Sequence, residues 1–409
     1  MKLRIGGRPT VNIFDCLQKP LPRKQIQFPF SNPRSYFYFS ARYALAEGIK
    51  VLGLHPGDTV LLPAYNCGIE IEPFNHFGLR TEFYRVDRSL KVDLHDLRFK
   101  MKGNIKALLV IHYLGFPQPI EEIRTISNEH GSFLIEDCAH ALLSSHKNKC
   151  LGTYGDIAVF SILKTLPVPN GGILVVNNTA LSLERESCRP SRFSALCHLS
   201  EQILQKTSPS EEYAALIEMI SYRPLLWGIS AAKYIIAAFK KIFNIGELHL
   251  MRPDSYDFRS ELIAWGMSRA SENILSNTDM NRVKESRRSN FNRYLDWFRI
   301  EKPTGVTLPY NQLPEGICPL FFPLIIEKEF AREIIYRELK KRGITSHPWW
   351  DRFHAKVPWA EFSDAVYLKQ RLFGLPVHQD LTPFNVSTIL GELVAVLSNL
   401  EHQSKGEIS

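Results

Sequence analysis

From residue 40 onward the chain alternates short, nearly uninterrupted apolar runs with stretches of helical periodicity. The runs are TVLLPAY (59–65), TEFYRVD (81–87), KALLVIHYLG (106–115), SFLIEDCAH (132–140), DIAVFSIL (156–163) and GGILVVNN (171–178). Between them lie helical candidates such as ARYALAEGIKVLGL (41–54) and IEEIRTISNEHG (120–131), the second closed by Gly131 as a C-terminal cap. Strands this apolar, separated by helices, predict an α/β domain on a mostly parallel sheet covered on both faces. Ligands of such sheets collect at the carboxyl ends of the strands. His112, Asp137 and Lys164 all fall at or just beyond such ends.

After residue 180 the pattern becomes helical and charged, and residues 213–245 are apolar, aromatic and basic. Arg223, Pro224 and Lys233 interrupt this segment, which leaves it too short and too broken for a membrane span. Two readings stay open for it: a helical hairpin packed on the protein or on a second subunit, and a basic amphipathic surface for peripheral membrane contact. VKESRRSNFNRYLDWF (283–298) predicts a long helix leading out of the large domain. CPLFFPLII (318–326) as strand, EFAREIIYRELKKRG (329–343) as helix and ITSHPWW (344–350) as the next strand predict a smaller α+β domain. The expected division is therefore 1–285, with a helical insertion at about 185–255, and 286–409.

Composition narrows the function classes. With 409 residues, 44% hydrophobic and 22% charged, the chain can bury a sizeable core. Its net charge of +8 and pI near 9.0 favour anionic partners. No zinc-finger spacing, RNP-like aromatic signature or long basic tract points to nucleic acid, and no metal site is expected. Seven scattered cysteines without paired spacing fit free thiols in a reducing compartment. The first residues lack the continuous apolar stretch of a secretory signal, so a cytoplasmic location is expected.

Lys164, in FSILKTLPVPNGG (160–172), has two readings. It is a solvated or snorkelling loop residue, or it is an amine whose pKa is lowered by an apolar pocket and which forms a Schiff base with a carbonyl cofactor such as pyridoxal 5'-phosphate (PLP). Asp137 also has two: a helix N-cap after a strand, or a carboxylate paired with the protonated pyridine nitrogen of that cofactor. An aspartate at a strand end, then a lysine, then the Gly171-Gly172 turn favours the cofactor reading of both.

LHPGDTVLLPAY, VIHYLGFPQPIEEI, GSFLIEDCAHA, GTYGDIAVFS and KTLPVPNGGILVV, in this order, together with GLPVHQDLT (374–382), resemble the DegT/StrS family of PLP-dependent sugar-nucleotide aminotransferases. The resemblance implies the type I, aspartate aminotransferase-like fold of PLP-dependent transferases, with PLP as cofactor and pyridoxamine phosphate as its alternate form. It implies Lys164 as the Schiff-base lysine, Asp137 at the pyridine nitrogen and His140 near the phenolic oxygen. It also implies Ser161 and the backbone of Ala41 and Arg42 at the phosphate.

The chain departs from the family pattern in four places. Ala41-Arg42 replaces Gly-Thr, and Cys67 stands where an aromatic stacks on the ring, with Tyr65 as a possible substitute. Ser161 and Lys164 are two residues closer together than usual. No asparagine near WGMSRAS (265–271) reaches toward a partner's phosphate, for which Arg269 is the candidate. His112, Trp349 and Trp350 are expected at the substrate.

The implied activity is amino transfer from an amino acid, glutamate, to a nucleotide-linked keto sugar for amino-sugar and polysaccharide biosynthesis, in a homodimer. Two alternatives are a non-catalytic or regulatory PLP-fold relative and a PLP-dependent sugar dehydratase. Dehydratases of this kind carry histidine in place of the lysine, so Lys164 speaks for transfer.

Overall fold

The computed structural model describes residues 5–10, 27–184, 188–190, 231 and 258–406. Nearly all of the expected 185–255 insertion, and all of the 213–245 segment but Ala231, lies outside these residues.

All six predicted apolar runs form strands of one seven-stranded sheet. They are β2 (Thr59–Pro63), β3 (Arg80–Tyr84), β4 (Ile105–Ile111), β5 (Phe133–Asp137), β8 (Ile157–Ser161) and β9 (Gly172–Val176), with a small hairpin of β6 (Ser145–His146) and β7 (Lys149–Cys150) between β5 and β8. A strand that precedes the expected pattern, β1 (Ser35–Tyr38), completes the sheet in the order β1-β9-β8-β5-β4-β2-β3. From β3 to β8 neighbours run parallel, while β9 and β1 pair antiparallel at the other edge. Leu108, Val110, Leu134, Ile135, Ile157 and Ala158 have virtually no exposure, as strands covered by helices on both faces require.

The smaller sheet has the order β10-β11-β13-β12, from Val306–Thr307, Phe321–Ile326, Leu372–Pro376 and His347–Pro348. It is reached through the helix Met280–Glu301, whose first turn is capped by Asp279 accepting from the N–H groups of Asn281 and Arg282. Two expectations change here. The strand expected over ITSHPWW is only His347–Pro348, so Trp349 and Trp350 occupy the turn beyond it. The proposed division at 285/286 falls inside a continuous helix, and residues 5–10 belong with the smaller sheet. Ile5 donates to the Gly343 carbonyl (2.8 Å) and accepts from Thr345 (2.9 Å), and the Gly6 carbonyl accepts from His378 Nε2 (2.9 Å). Backbone pairing across more than three hundred positions leaves no periodic trace in the sequence.

Candidate active site

The carboxyl ends of β2, β5 and β8 converge on one edge of the large sheet, facing the turn that carries Trp349 and Trp350. Asp137 is the last residue of β5, and its Oδ1 accepts from the Ala139 N–H (2.8 Å). Lys164 sits in the four-residue helix Ile162–Thr165 that follows β8 directly. Cys67 lies four residues past the end of β2. Asp137, Lys164, Cys67 and Trp350 are all half-buried among fully buried neighbours, so they line an open recess in the core.

Charge in this recess is displaced from its ordinary balance. Burial, with the carboxylate of Glu70 nearby, raises Asp137 from 3.8 to about 6, against the opposing pull of Lys164. Burial lowers Lys164, while Cys67, Asp137 and Glu70 counteract and Arg8 reinforces the fall. His140 is held well below the usual imidazole range by burial and the charges of Lys164 and Arg8, so it is neutral. Its ring lies 5.0 Å from that of Trp349 and 5.2 Å from that of Trp350, and the Leu114 N–H points at Nδ1 from 3.5 Å.

A second cluster lies where β1 turns into the helix Ala41–Val51. Ser40 stands at the N-cap, yet its hydroxyl makes no capping bond and is buried without a partner. The first-turn N–H groups of any helix point outward and attract anions, so an unpartnered hydroxyl at this position forms part of an anion cup. The Gly171-Gly172 turn has a backbone reason. Gly171 adopts φ +152°, and a Cβ on Gly172 would lie 2.3 Å from the Ser40 carbonyl carbon and 2.4 Å from the Ala41 nitrogen. Gly172 therefore lets β9 press against the helix start and hold the cup beside Ser161, the buried last residue of β8, whose partner across the ladder is Gly172 itself.

Most of the residues expected at the site do meet there: Asp137, Lys164, His140 and Cys67 as electrostatic neighbours, Trp349 and Trp350 against His140, and Ala41, Arg42 and Ser161 at the cup. Two do not serve as expected. His112 is fully buried, its Nε2 bonded to Glu136 (3.1 Å) and its Nδ1 accepting from the Gln118 N–H (3.1 Å), so it has no nitrogen left for a substrate. Glu136 in turn accepts from the N–H groups of Gly152, Tyr154 and Gly155, which makes the pair a structural staple behind Asp137. Tyr65 has no exposure. It packs on Tyr113 and Trp350 and donates to the Trp349 carbonyl (3.1 Å), so Cys67 and not Tyr65 faces Lys164.

Three further residues carried no signal in the sequence. Arg287, fully buried in the long helix, donates to the carbonyls of Thr165 (2.8 Å), Leu320 (3.2 Å) and Pro319 (3.3 Å), pinning the peptide next to Lys164. Glu70 and Lys369, both buried, flank the Cys67 turn. An exposed-looking arginine in a charged helix, KESRR, reads as a solvated face until the fold buries it.

Residues 38–194 match the DegT/DnrJ/EryC1/StrS aminotransferase family. Over these residues, well under half of the chain, the protein is similar to this family. The GDP-perosamine synthase of Vibrio cholerae is 32% identical over 138 residues, which is 33% of this chain and 38% of that protein. This chain thus matches less than half the length of that relative. The spore coat polysaccharide biosynthesis protein SpsC of Bacillus subtilis is 22% identical across 86% of this chain and 82% of its own. Among solved structures, the aminotransferase TlmJ of Streptoalloteichus hindustanus superposes with a TM-score of 0.59 at 20% identity, covering 90% of this chain and 86% of TlmJ. The likeness is one of architecture, and the chain has the type I fold.

The recess fits that cofactor. Among the described residues the half-buried Asp137 has no bonded cation and the buried Ser40 hydroxyl at a helix start has no partner, while Lys164 is an enclosed amine.

Proposed function

We propose that this chain belongs to the DegT/DnrJ/EryC1/StrS family and is a PLP-dependent aminotransferase that moves an amino group from an amino acid, glutamate, to a nucleotide-linked keto sugar in amino-sugar or polysaccharide biosynthesis. The observation that carries the reading is the meeting of an amine pushed down by burial and a carboxylate pushed up to about 6 in one recess, beside an unpartnered hydroxyl at a helix N-terminus. Bound PLP supplies an electron sink for the bonds at the donor's α-carbon.

The protein's own groups do the rest. Lys164 would hold the cofactor through its carbonyl carbon, and as a free amine it would be suited to carry a proton because burial disfavours its charged form. Asp137 would pair with the cofactor's ring nitrogen and keep it protonated. Ser40, Ser161 and the first-turn N–H groups at Ala41 and Arg42 would hold the phosphate. Neutral His140 offers a hydrogen bond without adding charge beside Lys164. Trp350 with Trp349 forms an aromatic wall suited to a sugar or base. The net charge of +8 suits a pyrophosphate-bearing substrate. A homodimer is part of the proposal.

The test is a half-reaction. Glutamate added to the purified, PLP-loaded protein bleaches the Schiff-base band at about 420 nm. The variant Lys164→Ala shows neither the band nor turnover. A band that survives in Lys164→Ala, or a wild-type band that no amino donor bleaches, rejects the proposal.

A further inference from the structure

Outside the Lys164–Asp137 pair, buried charge also gathers at the turn that follows β2. Glu70 is only 6% exposed and folds back on this turn, its Oε1 accepting from the Cys67 N–H (3.0 Å) and its Oε2 from the Cys67 thiol (2.7 Å). On its far side Lys369 is buried, its ammonium donating to the Asn66 carbonyl (2.8 Å) and to the Arg352 carbonyl, 4.9 Å from the Trp359 ring. The turn is therefore clamped from both ends, and its carboxylate cannot swing to solvent. A buried carboxylate is expensive without a task or a full set of donors, and the thiol is a weak donor.

Resting on the aminotransferase reading, we propose that Glu70 is a second carboxylate of the cofactor site, a positioning residue that holds Cys67 as a neutral thiol and acts through space on the nitrogen of Lys164. The groups that face Lys164 are Asp137 and Glu70, which favour its charge, Arg8, which opposes it, and Cys67, which would favour it only as a thiolate. Glu70 also faces Asp137, Tyr113 and Lys369. Beside burial, Glu70 is the main cause that holds the Cys67 thiol protonated. The recess thus carries two carboxylates against Lys164, so its nitrogen stays protonated to a higher pH than Asp137 alone would allow. Cys67, although it lines the recess, stays unreactive as a nucleophile, because the thiolate and not the thiol attacks.

Two measurements on the full chain test this. In the PLP-loaded protein, the pH midpoint of the protonated Schiff-base band should fall in Glu70→Gln by a fraction of a unit, about 0.3–0.5. In the cofactor-free protein, alkylation of Cys67 by iodoacetamide at pH 8, followed by peptide mass mapping, should run about tenfold faster in the same variant. Glu70→Asp, which withdraws the carboxylate by one methylene, moves both readouts the same way by less and serves if Glu70→Gln does not fold. A wild-type band whose midpoint is unchanged in these variants overturns the proposal and leaves the aminotransferase reading intact. If the wild type forms no band, the aminotransferase reading fails by itself, and an unchanged alkylation rate then overturns the Glu70–Cys67 coupling independently.

Discussion

Asp137→Asn should make the cofactor-free protein more stable while destroying its ability to use PLP. The side chain keeps its shape, and the asparagine oxygen still accepts from the Ala139 N–H. What disappears is an ionised group in a recess that disfavours ionisation. Asp137 rises from 3.8 to about 6, a shift of about two units, which at about 1.4 kcal/mol per unit amounts to about 3 kcal/mol. The carboxylate keeps some accessible surface, so water in the open recess reduces this to about 1–3 kcal/mol.

The sign follows from linkage. A group whose pKa is higher in the folded state contributes stability that is fully present below the unfolded value, near 4, and lost as the pH rises through about 6. At pH 7.5 the wild type has lost that contribution, whereas the asparagine, neutral at every pH, keeps it. Urea unfolding of the cofactor-free proteins should place the variant about 1–3 kcal/mol above the wild type at pH 7.5, with the gap closing by about pH 4. Saturating PLP should stabilise the wild type strongly and the variant little, because only the carboxylate rewards a protonated ring nitrogen. A variant no more stable than the wild type at pH 7.5, or a gap that persists at pH 4, refutes the placement of Asp137 in an ion-disfavouring recess.

Two other substitutions probe the frame around the recess. Gly172→Ala puts a methyl against the backbone of Ser40 and Ala41, so the helix start must move. The expected result is a loss of about 1–3 kcal/mol in urea unfolding and a PLP affinity at least about tenfold weaker; unchanged affinity would refute the anion cup. Arg287→Met removes the guanidinium that bridges Thr165, Pro319 and Leu320, which takes the donor from the Pro319 and Leu320 carbonyls and leaves Thr165 with only the longer bond from Gln379 Nε2 (3.3 Å). It should cost about 2–4 kcal/mol and slow the glutamate half-reaction, and a variant of wild-type stability would show that these carbonyls need no donor.

The sequence by itself determined the elements and pointed to two candidate groups, Asp137 and Lys164. Apolar runs bounded by turn residues specify strands whose two faces are both covered, because burial is local in sequence and repeats along each strand. Motif order placed Asp137 and Lys164, since each is tied to the end of its own strand and the parallel sheet brings strand ends to one edge. The Gly171-Gly172 turn was also visible, although its reason, backbone contact with Ser40 and Ala41, was not.

Only the tertiary structure decided which groups share the recess. Lys369 reaches the Asn66 carbonyl across 303 positions and Arg287 reaches Thr165 across 122, contacts with no period or spacing to betray them. The fold removed His112 by giving both its nitrogens to Glu136 and Gln118. It brought in Ser40 and Glu70, whose side chains look like ordinary surface residues in the sequence. A residue type states what a group can do, but its charge and its partners depend on burial and on neighbours that only the folded chain supplies.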